Sequence, residues 1–323
     1  MKKSTYLKLA CCMLSCALLA GCGAKSEDTN AETQSETVET TAPETYTFTD
    51  DLGREVTVNN PQKVVTLIGS FTDVWLLSGG EVVGACDDSW ASLNLDLPEG
   101  VANTGKVKEP NLETILSLDP DFVIGSVKTS ATMELKDTFE ELGIPCAYFE
   151  VSNFEDYLNM LKICTDITGR ADLYETNGTA VQTQIDEAVK RADGSEPEVL
   201  YIRTSTKSVQ AKNSEGNVCG EILANLGCKN IADSDESLLE NLSIEAIMRA
   251  DPEYIFVTPQ GSDKEAAIAH IEELFTTNPA WESLTAVKNG NYYVLDPYLY
   301  NLKPNERWGE SYEKMADILY PAQ

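Results

Sequence analysis

The sequence predicts an α/β protein built as two similar lobes joined by one long helix. Three observations lead there. In each half, short continuous apolar runs alternate with helical stretches, the pattern of parallel strands covered on both faces. A helix-only region separates the two series. One stretch of the first half recurs in the second without a gap. The length agrees, since 323 residues exceed what one hydrophobic core usually serves.

The chain opens with Lys2, Lys3 and Lys8 around the start of an acid-free apolar run that continues to residue 20. That run is about a dozen residues, whereas a resident transmembrane helix needs about 20. Residues 1–21 therefore read as a signal peptide. Its end, Leu19-Ala20-Gly21-Cys22, resembles the lipobox of bacterial lipoproteins. The resemblance implies cleavage before Cys22 and lipid on its sulfur; the plainer reading is a signal peptide with an incidental Cys. Residues 22–45 are rich in Thr, Glu, Ser and Ala. They have too little apolar area to fold and read as a flexible acidic tether, reaching about 25 Å. The folded part is thus expected on the extracytoplasmic face of the cell membrane, held by its lipid anchor.

The N-terminal lobe is expected over 46–169. Tyr46-Thr47-Phe48 and Glu55-Val56-Thr57-Val58 alternate around Asp51-Leu52-Gly53, a hairpin signal. Strands are expected at 64–68, 82–85, 122–124 and 147–149, the first leading through Gly69-Ser70 into a helix. The interlobe helix, 170–192, carries Ala171, Tyr174, Gly178, Val181, Ile185 and Ala188 in steps of three and four, so one face packs along its length. About 22 residues make about 33 Å of rod. Such a stripe suits an ordinary surface helix too; its place between two matching series makes it a strut. The C-terminal lobe, 193–323, follows, with strands at 199–202, 254–257 and 292–295 and helices at 220–226, 265–275 and 305–319.

The repeat is the strongest signal. The stretch from Asn111 to Ile124 matches that from Ser243 to Phe256, with Glu113 falling on Glu245 and Asp119-Pro120 on Asp251-Pro252. Asn111 and Ser243 are good helix N-caps, and the residue before a proline disfavours helical geometry, which ends each helix. An acid in a first turn stabilises the helix dipole by about 0.3–1 kcal/mol, which accounts for Glu113 and Glu245 singly. Their homologous placement also suits docking on a symmetric partner.

Composition excludes several functions. With 24 Lys+Arg against 53 Asp+Glu, a formal net charge of −29 repels nucleic acid. One His excludes a His-rich metal site and disfavours His-based catalysis. No Gly-x-Ser-x-Gly elbow and no phosphate-binding glycine loop follows a strand, so an extracellular α/β hydrolase is the weaker rival reading; a surface adhesion lipoprotein is another. Beyond Cys22 and the leader stand Cys86, Cys146, Cys164, Cys219 and Cys228, an odd number without CxxC spacing. They are expected as buried thiols.

Further motifs carry a family resemblance. They are 53–58, 61–65, Val82-Val83-Gly84, 109–113, 119–124, Gly220-Glu221-Ile222-Leu223, the repeat through Val257, Trp281, 286–290 and Tyr292-Tyr293-Val294-Leu295. In order and spacing the chain resembles a substrate-binding lipoprotein of an ABC importer, of the class III periplasmic-binding-protein family that carries ferric siderophores, haem and cobalamin. The resemblance implies two Rossmann-like lobes, a ligand held in the interlobe cleft, a monomer, an ABC permease dimer as partner, and no catalysis. It also implies that Glu113 and Glu245 meet arginines of the permease.

In open α/β sheets ligands sit beyond the carboxyl ends of strands. The loops expected there hold Lys106, Arg203, Lys212 and Lys303 with Phe71, Trp90, Tyr298 and Tyr300. Cations beside flat apolar walls suit a bulky anion such as a ferric catecholate or carboxylate chelate; some of these charges are equally readable as solvated. Haem would need a Tyr ligand such as Tyr298 or Tyr300, because His270 falls within a helix. Cobalamin stays a third option. No resident metal or cofactor is expected apart from lipid on Cys22.

Overall fold

A computed structural model describes residues 44–240, 242–261 and 263–321. The expected signal peptide, Cys22 and nearly all of the tether lie outside them. The first series of apolar runs forms a parallel sheet in the order Ala102–Asn103, Gly84–Ala85, Val64–Thr66, Phe122–Ser126, Cys146–Phe149. Every residue of Phe122–Ser126 and Cys146–Phe149 is buried, which is why those runs lack polar alternation. The second series forms its own sheet. Glu198–Thr204 pairs in parallel with Tyr254–Pro259, which pairs with Tyr292–Val294. Among the described residues no strand pair joins the two sheets.

The repeat has a structural basis. Asn111 Oδ1 accepts from the Thr114 amide at 3.0 Å, and Ser243 Oγ from the Ala246 amide at 3.2 Å, starting helices Leu112–Ser117 and Ile244–Ala250. Asp119 and Asp251 both take the left-handed region, with φ of 50° and 48°, sparsely populated outside glycine and tolerated by Asp. Two residues on, Asp121 accepts from the Gln62 and Lys63 amides, and Glu253 from the Glu198 amide. Each repeat acid thus fixes the neighbouring strand's start, and so the register of the central strand pair in its sheet.

The C-terminal lobe departs from its twin at an antiparallel strand. Expectation put 203–212 in a loop, but Val209–Lys212 is a strand, antiparallel to Glu198–Thr204, with Tyr201 opposite Lys212 and Arg203 opposite Gln210. The Ser205 hydroxyl accepts from the Lys207 and Ser208 amides in the reversal. Lys212 is therefore a strand residue facing the same side as Arg203.

The outer edge of Cys146–Phe149 is covered by the turn between the first two strands. Asp50, 4% exposed, accepts from the Leu52, Arg54 and Tyr148 amides and from the Arg54 guanidinium. Arg54 also donates to the Cys146 carbonyl at 3.0 Å. Side chains here replace the missing strand neighbour. Asp50→Ala strands those donors and should cost about 3 kcal/mol, read as a lower urea midpoint with an unchanged slope.

The rod differs in detail from a single α-helix. Ala171–Tyr174 and Ala180–Val189 are α-helical, and Glu175–Thr179 between them is a π-helical turn. Widening of the ladder is matched by the first lobe: the Tyr157 hydroxyl donates to the Asn177 carbonyl at 2.9 Å, and Asn177 donates to the Leu77 carbonyl at 2.8 Å. A Cβ on Gly178 would lie 3.0 Å from Leu158 Cδ2, so a larger residue here would have to shift that leucine. Val181, Ile185 and Ala188 are buried as expected, while Ala171 is exposed. One continuous core runs from Phe48 through Tyr157 and Ile185 to Tyr312, so the rod and the helix Trp308–Leu319 tie the lobes together.

Candidate functional site

A cavity of about 960 Å³ lies between the lobes at the carboxyl ends of their strands. From the first lobe it is lined by Asp87, Asp88 and Ser92, after Gly84–Ala85, and by Lys106. From the second it is lined by Gln260, Asp263 and Lys264, after Tyr254–Pro259, and by Asn301 and Leu302. A smaller cavity of about 370 Å³, with Lys108 and Lys207 in its wall, adjoins through Gln260, Gly261 and Asp263. The helix Gly69–Leu77 starts beside the larger cavity, where the wall residue Asp88 accepts through Oδ1 from the Gly69 amide at 2.9 Å. A Cβ at Gly69 would come within 2.7 Å of the Ser89 nitrogen, so this close approach needs glycine.

The expected ligand residues divide. Lys106 is exposed in the cavity wall. Tyr298 is half-buried beside the wall residue Pro297, with the Lys264 ammonium 4.7 Å from its ring centre, a cation–π contact. Trp90 is half-buried and packs on the first-lobe core. Phe71 and Tyr300 require correction. Phe71 is fully buried, edge-on to Phe149 at 6.4 Å. Tyr300 is 3% exposed, and its hydroxyl donates to the Ser311 carbonyl. Both follow strand ends in sequence, but helical geometry turns their rings into the core, away from a ligand.

Arg203, Lys212 and Lys303 form a group. All three are half-buried, and none makes an ion pair among the described residues, although the Lys212 ammonium donates to Gln210 Oε1 at 3.0 Å. Arg203 Nε is buried without a hydrogen-bond partner. Burial, then the neighbouring Arg203 charge, pushes the Lys212 and Lys303 ammonium groups below their ordinary range. Lys303 also feels Asp88 and Glu150 of the first lobe, and it follows the wall residues Asn301 and Leu302. Among the described residues, the Lys and Arg without an ion pair are these three, which are not among the wall residues of either cavity, then Lys106, Lys108, Lys207 and Lys264, which are, and otherwise only Arg249 and Lys288.

Asp263 and Lys264 were not among the expected ligand residues. They cap and begin the helix Lys264–Thr276 and read locally as ordinary first-turn residues. His270 is half-buried, and its Nδ1 lies 2.8 Å from the Ser205 carbonyl, so that nitrogen is the donor. No group of three or more His, Cys, Asp and Glu among the described residues is placed to hold a bare metal ion. Cys86, Cys146, Cys164 and Cys219 are buried free thiols and Cys228 a half-buried one; burial raises all five.

A family model described as periplasmic binding protein matches residues 64–299. The chain is 26% identical to the Fe(3+)-citrate-binding protein YfmC of Bacillus subtilis, over 88% of this chain and 87% of that one. It is 27% identical to the iron-uptake system-binding protein of the same organism, over 86% and 87%. Among solved structures it resembles Staphylococcus aureus SirA complexed with staphyloferrin B, at 24% identity and a TM-score of 0.66 over 85% of this chain and 97% of that one. It also resembles S. aureus IsdE complexed with heme, at 17% identity and a TM-score of 0.67 over 80% and 98%.

Proposed function

Because the chain belongs to the periplasmic binding protein family, we propose that it captures an anionic iron complex, a ferric siderophore or ferric carboxylate, in the interlobe cleft and hands it to an ABC permease. The unpaired Arg203, Lys212 and Lys303 carry this reading. The partial burial and mutual repulsion of these cations weigh on the empty protein, and a multiply charged anion reverses that cost while filling the vacant Nε donor of Arg203. Tyr298 and the half-buried Trp90 supply flat surface nearby. Chelated iron brings its own ligands, so the protein needs to recognise only the outer oxygen atoms.

Glu113 and Glu245 are exposed in the first turns of the repeat helices. Neither has an ion pair among the described residues. This arrangement supports docking on a two-fold permease. Cys22 with its lipid would hold the protein at the extracytoplasmic face. No described helix is long and apolar enough to cross a membrane.

Tryptophan-fluorescence titration with ferric citrate, a ferric catecholate, a ferric hydroxamate, haemin and cyanocobalamin tests the reading. Sub-micromolar affinity is expected for an anionic ferric chelate and not for neutral ferric hydroxamate. Flat curves across the panel would sink the proposal, and tight haemin binding alone would replace it with a haem carrier.

A further inference from the structure

Where the closing segment of the second lobe returns to the first, polar groups are buried together. Asn305 is fully buried with φ of 53°, a conformation that non-glycine residues hold only when their surroundings impose it. Its Nδ2 donates to the Ser70 carbonyl at 2.9 Å and to Asp73 Oδ2 at 2.7 Å, both on the helix Gly69–Leu77 of the first lobe. Asn305 Oδ1 and Glu306 Oε2 are buried without any partner. Trp308 Nε1 is likewise unpartnered.

The helix Gly69–Leu77, Phe154–Thr168, the π turn with its exposed Glu175, and Trp308–Leu319 all pack here, and among the charges acting on Glu306 only that of Arg307 favours its ionised form. Asp73 comes from the first-lobe helix and Tyr157, a neutral phenol, from Phe154–Thr168. On its own side Arg307 is already bound to Glu310 at 2.7 Å, and Glu310 to Lys314 at 2.9 Å. The junction therefore holds two carboxyl groups and no cation free to neutralise them. Neither Asp73 nor Glu306 lines the cavity, although the same closing segment supplies its wall residues Asn301 and Leu302.

We propose that Asp73, Asn305 and Glu306 form a proton-dependent latch between the lobes. While the pair of carboxyls holds a proton, residues 301–307 stay seated on Gly69–Leu77; when both are ionised, the seat loosens and the lobes gain freedom to move. Burial, then the Asp73 charge, raises the Glu306 carboxyl from 4.5 to about 7. Burial also raises Asp73, with the Asn305 hydrogen bond opposing it. An acid raised in the folded state favours the folded form at low pH. That advantage declines as pH rises from about 4.5 through about 7 and is gone above it.

Hydrogen–deuterium exchange on the full chain, corrected for intrinsic rates, tests the latch at pH 6 and pH 8.5. In the unsubstituted protein, peptides covering 69–77 and 301–308 should exchange at least about fivefold faster at pH 8.5, taking a change of about 1 kcal/mol in opening. Glu306→Gln should remove most of that difference and raise Tm at pH 8.5 while leaving Tm at pH 5 nearly unchanged. Asp73→Asn, which removes the other charge and keeps an acceptor for Asn305, should act in the same direction. An unsubstituted protein with no pH response in these peptides overturns the proposal. So does a Glu306→Gln protein, or an Asp73→Asn protein if the former does not fold, with the full response intact. None of these readouts uses a ligand, so the latch and the iron-complex reading fail separately.

Discussion

Arg203→Ala is expected to weaken the anionic ferric chelate by about 10- to 100-fold. A hydrogen bond to a charged group is worth about 1.5–3 kcal/mol, and about 1.4 kcal/mol is tenfold in affinity. The Nε vacancy gives the loss a direction: the guanidinium holds a donor in reserve that the fold does not use. Arg203→Lys should recover only part of the affinity, because a point charge cannot reproduce the planar fork. Arg249→Ala removes another cation without an ion pair and should leave affinity within twofold. The stability of the empty protein should move the other way, since removing Arg203 relieves its repulsion of Lys212 and Lys303. A residue that costs stability and gains affinity belongs to a binding site. Unchanged affinity in Arg203→Ala, measured on a folded protein, would falsify the anionic assignment.

The second large effect is on uptake. The double variant Glu113→Arg/Glu245→Arg should reduce iron uptake to background in cells carrying the permease, with ligand affinity kept within twofold in the purified protein. The acids lie on the repeat helices rather than in the cleft, so the two readouts are independent. Each substitution also removes a dipole contribution of about 0.3–1 kcal/mol, too little to unfold the chain. Glu155→Arg controls for this, because Glu155 is an exposed first-turn acid of Phe154–Thr168 outside the repeat. Uptake that survives the double variant leaves both acids with the helix-dipole role alone.

Legibility varied with how local each signal was. The two sheets, the repeat helices and the hairpin around Asp51 were readable because period and caps act within a few residues. The strand Val209–Lys212 was missed. Its four residues, Val-Gln-Ala-Lys, show only a brief alternation, and it exists because Glu198–Thr204 offers an open edge. The π turn at Glu175–Thr179 was also invisible, since Tyr157 and Asn177 settle it from 20 positions apart. Phe71 and Tyr300 were placed correctly along the chain and wrongly in direction. Distance from a strand end says which loop a side chain belongs to, and the helix phase decides whether it meets the cleft or the core.

The sequence by itself determined the two-lobe plan, the duplicated helix–strand unit, the interlobe rod and the acidic balance against which a few cations stand out. Those properties follow from periodicity, capping and charge counts, which neighbouring residues set among themselves. Only the tertiary structure decided that Arg203, Lys212 and Lys303 stand together unpaired, and that Asp73 meets Asn305 and Glu306. Such groupings join residues more than 200 positions apart in the latter case. Burial and electrostatic coupling depend on three-dimensional surroundings, which no window along the chain contains.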